Sequence, residues 1–150
     1  AVIDVKLAAL GNPNIPTRVI HRMAAGTGKR VRETIAGNIS TPKTILMKSA
    51  RDRDTNVAYN VACNPNVPRE ALTILAERRN IGILVAVVRN KNTPEEALAK
   101  LARNNNRNLR LLIAEHENTS RETLEFLLLK AVKEADQKLA ETVRLALAKQ

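Results

Sequence analysis

Few residues in this 150-residue chain are of a type that does bond chemistry. The two histidines, His21 and His116, are far apart, with no second ligand at metal-binding spacing and no nucleophile motif beside either. Cys63 is the only cysteine, which excludes an internal disulfide and a multi-cysteine metal site. Nothing around it demands sulfur, so a buried or half-buried passive thiol is expected. Gly26-Thr27-Gly28-Lys29-Arg30 glances at a phosphate-binding loop but lacks the full Walker spacing and a preceding strand. It reads as a turn between helices. No catalytic residue, metal ligand set or cofactor is therefore nominated, and the chain reads as a non-enzyme.

The other chemistry available is charge. The formal net charge is +10, concentrated in the first, second and fourth of the repeats described below, and the C-terminal segment is slightly acidic. Cations recur at fixed positions: Arg22, Lys48 and Lys100 in one column, Arg51 and Arg103 in another, Lys6, Arg32 and Arg110 in a third. Glu77 and Ala58 interrupt them. On one shared face they would form a positive stripe able to neutralise phosphates. With Phe126, Tyr59 and no Trp, stacking on single-stranded bases is disfavoured. Nucleic acid would be held through its backbone, without sequence reading. The plainer alternative is a solvated face of a basic protein.

What positions these cations is repetition. Asn12, Asn38, Asn64 and Asn90 are 26 residues apart, followed two residues on by Asn14, Ser40, Asn66, Asn92 and Asn118. Four residues on come Pro16, Pro42, Pro68, Pro94 and Ser120. A period of this size means a solenoid, propeller or array. The units run 11–36, 37–62, 63–88 and 89–114, with an extended last unit at 115–150. Residues 1–10 match only the second half of a unit, Val5 and Lys6 aligning with Val31 and Arg32. A chain that opens mid-repeat and without Met reads as part of a longer array or as a processed chain.

Within the fourth unit Thr93 reads as an N-cap, Pro94 as the first helical residue and Glu96 as the capping-box partner. Ala97, Leu98, Leu101 and Ala102 give one apolar helix face. Gly28, Asp54, Asn80 and Asn106 form a second cap column. After it, Leu109, Leu112 and Ile113 predict a short second helix of about two turns, with 3₁₀ geometry mixed in. The asparagine columns read as side chains bonding loop backbone from one unit to the next. At the end, Val143, Arg144, Leu147 and Ala148 match Val31, Arg32, Ile35 and Ala36 eight residues late. Helices near 120–133 and 136–149 are expected, with Lys130, Lys133, Glu134, Lys138 and Glu141 forming the polar face of a terminal cap. The fold class is thus all-α: one domain over 1–150, a solenoid of about five two-helix repeats. No apolar run is long enough for a membrane span and no secretory pattern is present, so a cytoplasmic location is the default.

The pattern Val31, Arg32, Ile35, Ala36, Asn38, Thr41, Pro42, Leu46, Ala50 resembles the leucine-rich repeat variant family over residues 3–128, and in stretched form to 148. The resemblance implies a right-handed superhelix of alternating α- and 3₁₀-like helices, related to HEAT and armadillo arrays. The family's aspartate after the Leu-Ala pair is matched by Asp52 or Asp54, and its Val-Arg pair by Val31–Arg32 and Val143–Arg144, loosely also by Val5–Lys6 and Leu109–Arg110. A known member carries a cysteine-ligated iron–sulfur module before its repeats; this chain lacks those cysteines, so no cluster is carried over. HEAT-like alkylpurine DNA glycosylases rely on a tryptophan-lined pocket, which a chain without Trp cannot build. The expected function is a scaffold that binds a protein partner, an acidic segment being favoured by the basic surface. Backbone contact with nucleic acid is the alternative.

Overall fold

The computed structural model describes residues 2–25 and 28–150. Among them there are eleven α-helices and no strand. They are α1 (Val2–Gly11), α2 (Thr17–Ala24), α3 (Lys29–Gly37), α4 (Lys43–Ser49), α5 (Thr55–Cys63), α6 (Arg69–Leu75), α7 (Ile81–Arg89), α8 (Glu95–Leu101), α9 (Arg107–Glu115), α10 (Arg121–Lys133) and α11 (Gln137–Ala148). Each unit contributes two helices, and α1 is the second helix of a half unit. The second helices pack in one continuous row, α1 on α3, then α5, α7, α9 and α11. The first helices α4, α6 and α8 pack in a parallel row. No described helix is long and apolar enough to cross a membrane.

Helices this short do not persist alone: isolated peptides need roughly 12–15 residues to be even marginally helical. Their stability comes from the apolar columns, which repeat with the sequence period. Ile20, Leu46, Leu72, Leu98 and Leu124 form one buried column of the first helices, at most 1% exposed. Val57, Ile83 and Leu109 begin the buried face of the second helices, and Ile35, Val61, Val87 and Ile113 continue it one turn later.

Three local expectations are revised. The first helices α4, α6 and α8 have seven residues, whereas α3, α5, α7 and α9 have nine, so the capped first helix is the shorter one. Both are α-helices; i→i−3 bonds appear at their ends, as at Arg51 to Lys48 and Asp52 to Ser49. The N-cap of α8 is Pro94 in extended geometry, its carbonyl accepting from Leu98, and not Thr93. The Thr93 hydroxyl is buried and turned backwards, donating to the Val87 carbonyl, as Thr41 does to Ile35 and Thr119 to Ile113. Each adds a second bond to a carbonyl in the last turn of the preceding helix that already accepts from the C-cap amide, Asn90 on Val87, Asn38 on Ile35 and His116 on Ile113. In the last unit Ser120 is the cap, accepting from the Thr123 amide.

The last unit also corrects its register. The Asp136 carboxylate caps α11 by accepting from the Leu139 amide, the same bond that Asp54 makes to Val57. Leu139 and Val143 are therefore the counterparts of Val31 and Ile35, and the insertion is four residues, one helical turn added to α10. Both are fully buried, as those columns require. Arg144 then falls in the column of Ala36, and is not the motif arginine. The extra turn ends in Ala135 at φ 54°, with Asp136 N–H bonded to Ala131 and Ala135 N–H to Val132. That is a Schellman motif with alanine where glycine is favoured. The terminal face is not uniformly polar either: Leu129, Val132 and Leu145 stand at least 60% exposed.

Candidate functional site

Each unit turns twice. At the first corner, between a second helix and the next first helix, the asparagine column does what the sequence predicts. The Asn64 amide, 1% exposed, donates to the carbonyls of Ala36 (2.8 Å) and Asn38 (2.9 Å) in the previous unit. Asn90 repeats this to Ala62 and Asn64, and Asn38 to Leu10 and Asn12. Each carbonyl oxygen of these side chains accepts from the amide two residues on. The next column adds Asn66 to Ile39, Asn92 to Pro65 and Asn118 to Lys91. In the last unit His116 takes the place of asparagine: Nδ1 accepts from the Asn118 amide, so Nε2 carries the proton that points at the Asn90 carbonyl, 3.1 Å away. The asparagine side chains at this corner are thus bonded to the backbone of the preceding unit and of their own turn.

The second corner, between the two helices of a unit, varies. The second cap column is as expected: Asp54, Asn80 and Asn106 accept amides at the starts of α5, α7 and α9, and Gly28 precedes α3 without a side chain. Gly26 and Thr27 of the loop-like run lie outside the described residues; Lys29 pairs with Asp54 at 3.0 Å. Around this corner two ion-pair quartets occupy equivalent places. Lys29 and Arg32 on α3 meet Asp54 and Asp52, with Arg32 Nε 2.7 Å from Asp52. Arg107 and Arg110 on α9 meet Asp136 and Glu134, with Arg107 gripping Asp136 through two bonds at 2.6 and 2.8 Å. In the two units between, Ala58 and Leu84 fill the Arg32 column, and Arg78 donates to the Ala50 and Asp52 carbonyls.

The pairs move proton affinities as charge-assisted bonds should. The bond from Arg107, with the Leu139 amide, pulls the Asp136 carboxyl down to about 2. The Lys29 ammonium holds Asp54 below the ordinary carboxylate range, and the same bond raises Lys29. Burial pushes Asp52 upwards, but the Asp54 amide and the Arg32 guanidinium outweigh it and its pKa is lowered.

These contacts divide the eight predicted basic residues. Arg110 is 3% exposed, bonded to Glu134 and to the Asn104 carbonyl, and is not a surface cation. Its Nε is the one buried side-chain polar atom without a partner among the described residues. Arg32 is held by Asp52, and Lys100 by Glu77, the residue that interrupts the neighbouring column. Lys6 on α1, Arg22 on α2 and Arg103 following α8 are exposed. Lys48, Arg51 and Arg32 come together, lining a cleft of roughly 790 Å³ between α2, α3, α4 and the turn into α5. Its floor is apolar, from Ala24, Ile35 and Ile45, and Thr44, Ser49 and Asp52 add polar groups. His21 and Arg53, which the sequence does not place among the basic columns, also line it. Arg53 lies between Asp52 and Asp54 in sequence, but these acids turn to Arg32 and Lys29 and leave Arg53 exposed.

Cys63 ends α5 and is exposed, against the expectation of a buried or half-buried thiol. It points outward because the buried face of α5 runs through Val57, Ala58, Val61 and Ala62. Its thiol raises the pKa of Tyr59, one turn before it on α5. No group of three or more His, Cys, Asp or Glu side chains among the described residues is arranged to hold a metal ion. Comparison of the chain with protein-family models, with curated proteins and with solved structures found no match.

Proposed function

We propose that this chain is a non-enzymatic binding module that takes an acidic segment of a protein partner in the cleft between its first two repeats. The observation that carries this reading is the trio Lys48, Arg51 and Arg53: exposed, without an acidic partner among the described residues, and adjoining an apolar floor. Three like charges side by side repel one another, and carboxylates brought against them relieve that repulsion. The floor of Ala24, Ile35 and Ile45 offers the dry contact that an acidic segment with an apolar anchor needs. Backbone contact with nucleic acid is supported less well, because the columns that would form a continuous stripe lose Arg110 to burial and Arg32 and Lys100 to ion pairs.

The leucine-rich repeat variant assignment is part of the same proposal. Its support is the Arg32–Asp52 pair, which joins the residue types the family motif carries at those columns. With it come the right-handed superhelix and the kinship with HEAT arrays. The test is a fluorescence titration with two probes, a Glu- and Leu-rich peptide and a random-sequence DNA duplex. The peptide is expected to bind, and Lys48→Glu with Arg51→Glu and Arg53→Glu to weaken it by at least roughly tenfold. Tighter binding of the duplex, with a steep salt slope, would reverse the ranking.

A further inference from the structure

We propose that the segment taken in the cleft between the first two repeats carries a phosphorylated serine or threonine, whose phosphate sits against Lys48, Arg51 and Arg53. This rests on the reading of the cleft as the seat of a protein segment and names the group that its cations hold. The repeat supplies an internal comparison. Lys48 with Arg51 at the end of α4 has its equivalent in Lys100 with Arg103 at the end of α8. Lys100 is met by Glu77 of the preceding unit. The residue in the place of Glu77 opposite Lys48 is Ala25, exposed on the wall of the cleft. The cleft thus has the cations of the fourth repeat without the acid. Ala24 and Ala25 leave the space open, and α2 packs less closely on α4 than α4 does on α6 or α6 on α8.

Charge and donor count favour a phosphate over a second carboxylate as the missing group. The Arg51 amide donates to the Lys48 carbonyl at 3.1 Å, a 3₁₀ bond that sets side chains three apart on the same side of the turn. Arg53 joins them on the cleft wall, because Asp52 and Asp54 beside it are committed to Arg32 and Lys29. A phosphate monoester brings roughly two negative charges and three strong acceptor oxygens, and a guanidinium fork meets it through two bonds at once. A carboxylate brings a single charge and two oxygens, which suits the lone Lys100 and leaves part of this cluster unmatched. Neutral donors are present as well. The Ser49 and Thr44 hydroxyls line the same cleft and hold no partner among the described residues, so one is available to the remaining phosphate oxygen. The apolar floor takes a side chain next to the phosphorylated residue.

The test uses fluorescent peptides of one Leu-rich sequence that carry, at the centre, either a phosphoserine or a pair of glutamates matching its charge. The phosphopeptide is expected to bind the chain at least roughly tenfold more tightly than the diglutamate peptide. Ala25→Glu, at an exposed position, supplies the acid that Glu77 gives to Lys100, and should remove that advantage with an unchanged circular dichroism spectrum. Arg51→Lys keeps the charge and loses the fork, and should narrow the advantage while leaving diglutamate binding close to wild type. Equal binding of the two peptides overturns the phosphate assignment and leaves the cleft as the seat of an acidic segment. Failure of both to bind overturns the assignment together with the reading it rests on. An advantage that survives Ala25→Glu would place the phosphate elsewhere, and displacement of the phosphopeptide by a random-sequence duplex at equal phosphate concentration would give the site to nucleic acid. Either result overturns the proposal.

Discussion

The two corners of each repeat make opposite use of polar residues. At the asparagine corner the same side chain makes the same bonds to the preceding unit three times over, from Asn38, Asn64 and Asn90. At the other corner the cap recurs and the ion-pair quartet appears in two places, but the residue two before the cap changes from Asp52 to Arg78 to Asn104 to Glu134. Asparagines bonded to the backbone of the preceding unit have those amides committed to the fold and not to a ligand. A corner free to vary can collect cations, and the cleft at Lys48, Arg51 and Arg53 is where it has done so. The lesson is that regularity and function lie on different turns of the same unit.

Breaking the regular corner is expected to have the largest effect. Asn64→Ala removes two bonds to buried carbonyls and one to the Asn66 amide, and should destabilise the fold by about 3 kcal/mol in urea denaturation. At the variable corner the effect should be smaller and depend on which partner goes. Glu134→Ala leaves the buried Arg110 without its acid and should lower stability by about 2 kcal/mol. Arg110→Leu, which copies Leu84 of the third unit, should stay within about 1 kcal/mol of wild type by the same measurement, since Glu134 is 40% exposed and solvated.

A gain is expected where the inserted turn ends: Ala135→Gly relieves the positive φ and should stabilise by about 0.5–1 kcal/mol, read as a higher urea midpoint. Asp136→Asn keeps an amide cap of the kind that α7 and α9 already use but gives up the charge that Arg107 grips. The folded-state pKa of Asp136 is depressed, so its contribution is present above the unfolded value of about 3.9 and is lost as pH falls towards about 2. Acid titration followed by circular dichroism should show Asp136→Asn losing less stability than wild type across that window.

Much of this is legible in the sequence because caps and corners are local chemistry. Asp54, Asn80 and Asn106 act within three residues of themselves, and the asparagine ladder repeats often enough to declare itself. The misreadings have a common cause in partners that lie elsewhere. Thr93, three residues before Glu96, fits a capping box, but its hydroxyl reaches six residues back to a helix end that the pattern does not reveal. Arg110 belongs to a basic column by spacing, while its acid, Glu134, lies beyond the inserted turn. That insertion was read as eight residues because Val143–Arg144 imitates Val31–Arg32; the cap at Asp136 sets it at four. The cleft could not be foreseen, since which cations stay free depends on which acids are already engaged.

The most direct test of the division between corners is the urea midpoint of the Lys48→Glu, Arg51→Glu, Arg53→Glu variant, measured beside its affinity for the Glu- and Leu-rich peptide. The account predicts a midpoint close to wild type with binding lost. A collapsed midpoint, or binding that survives the three charge reversals, would contradict it.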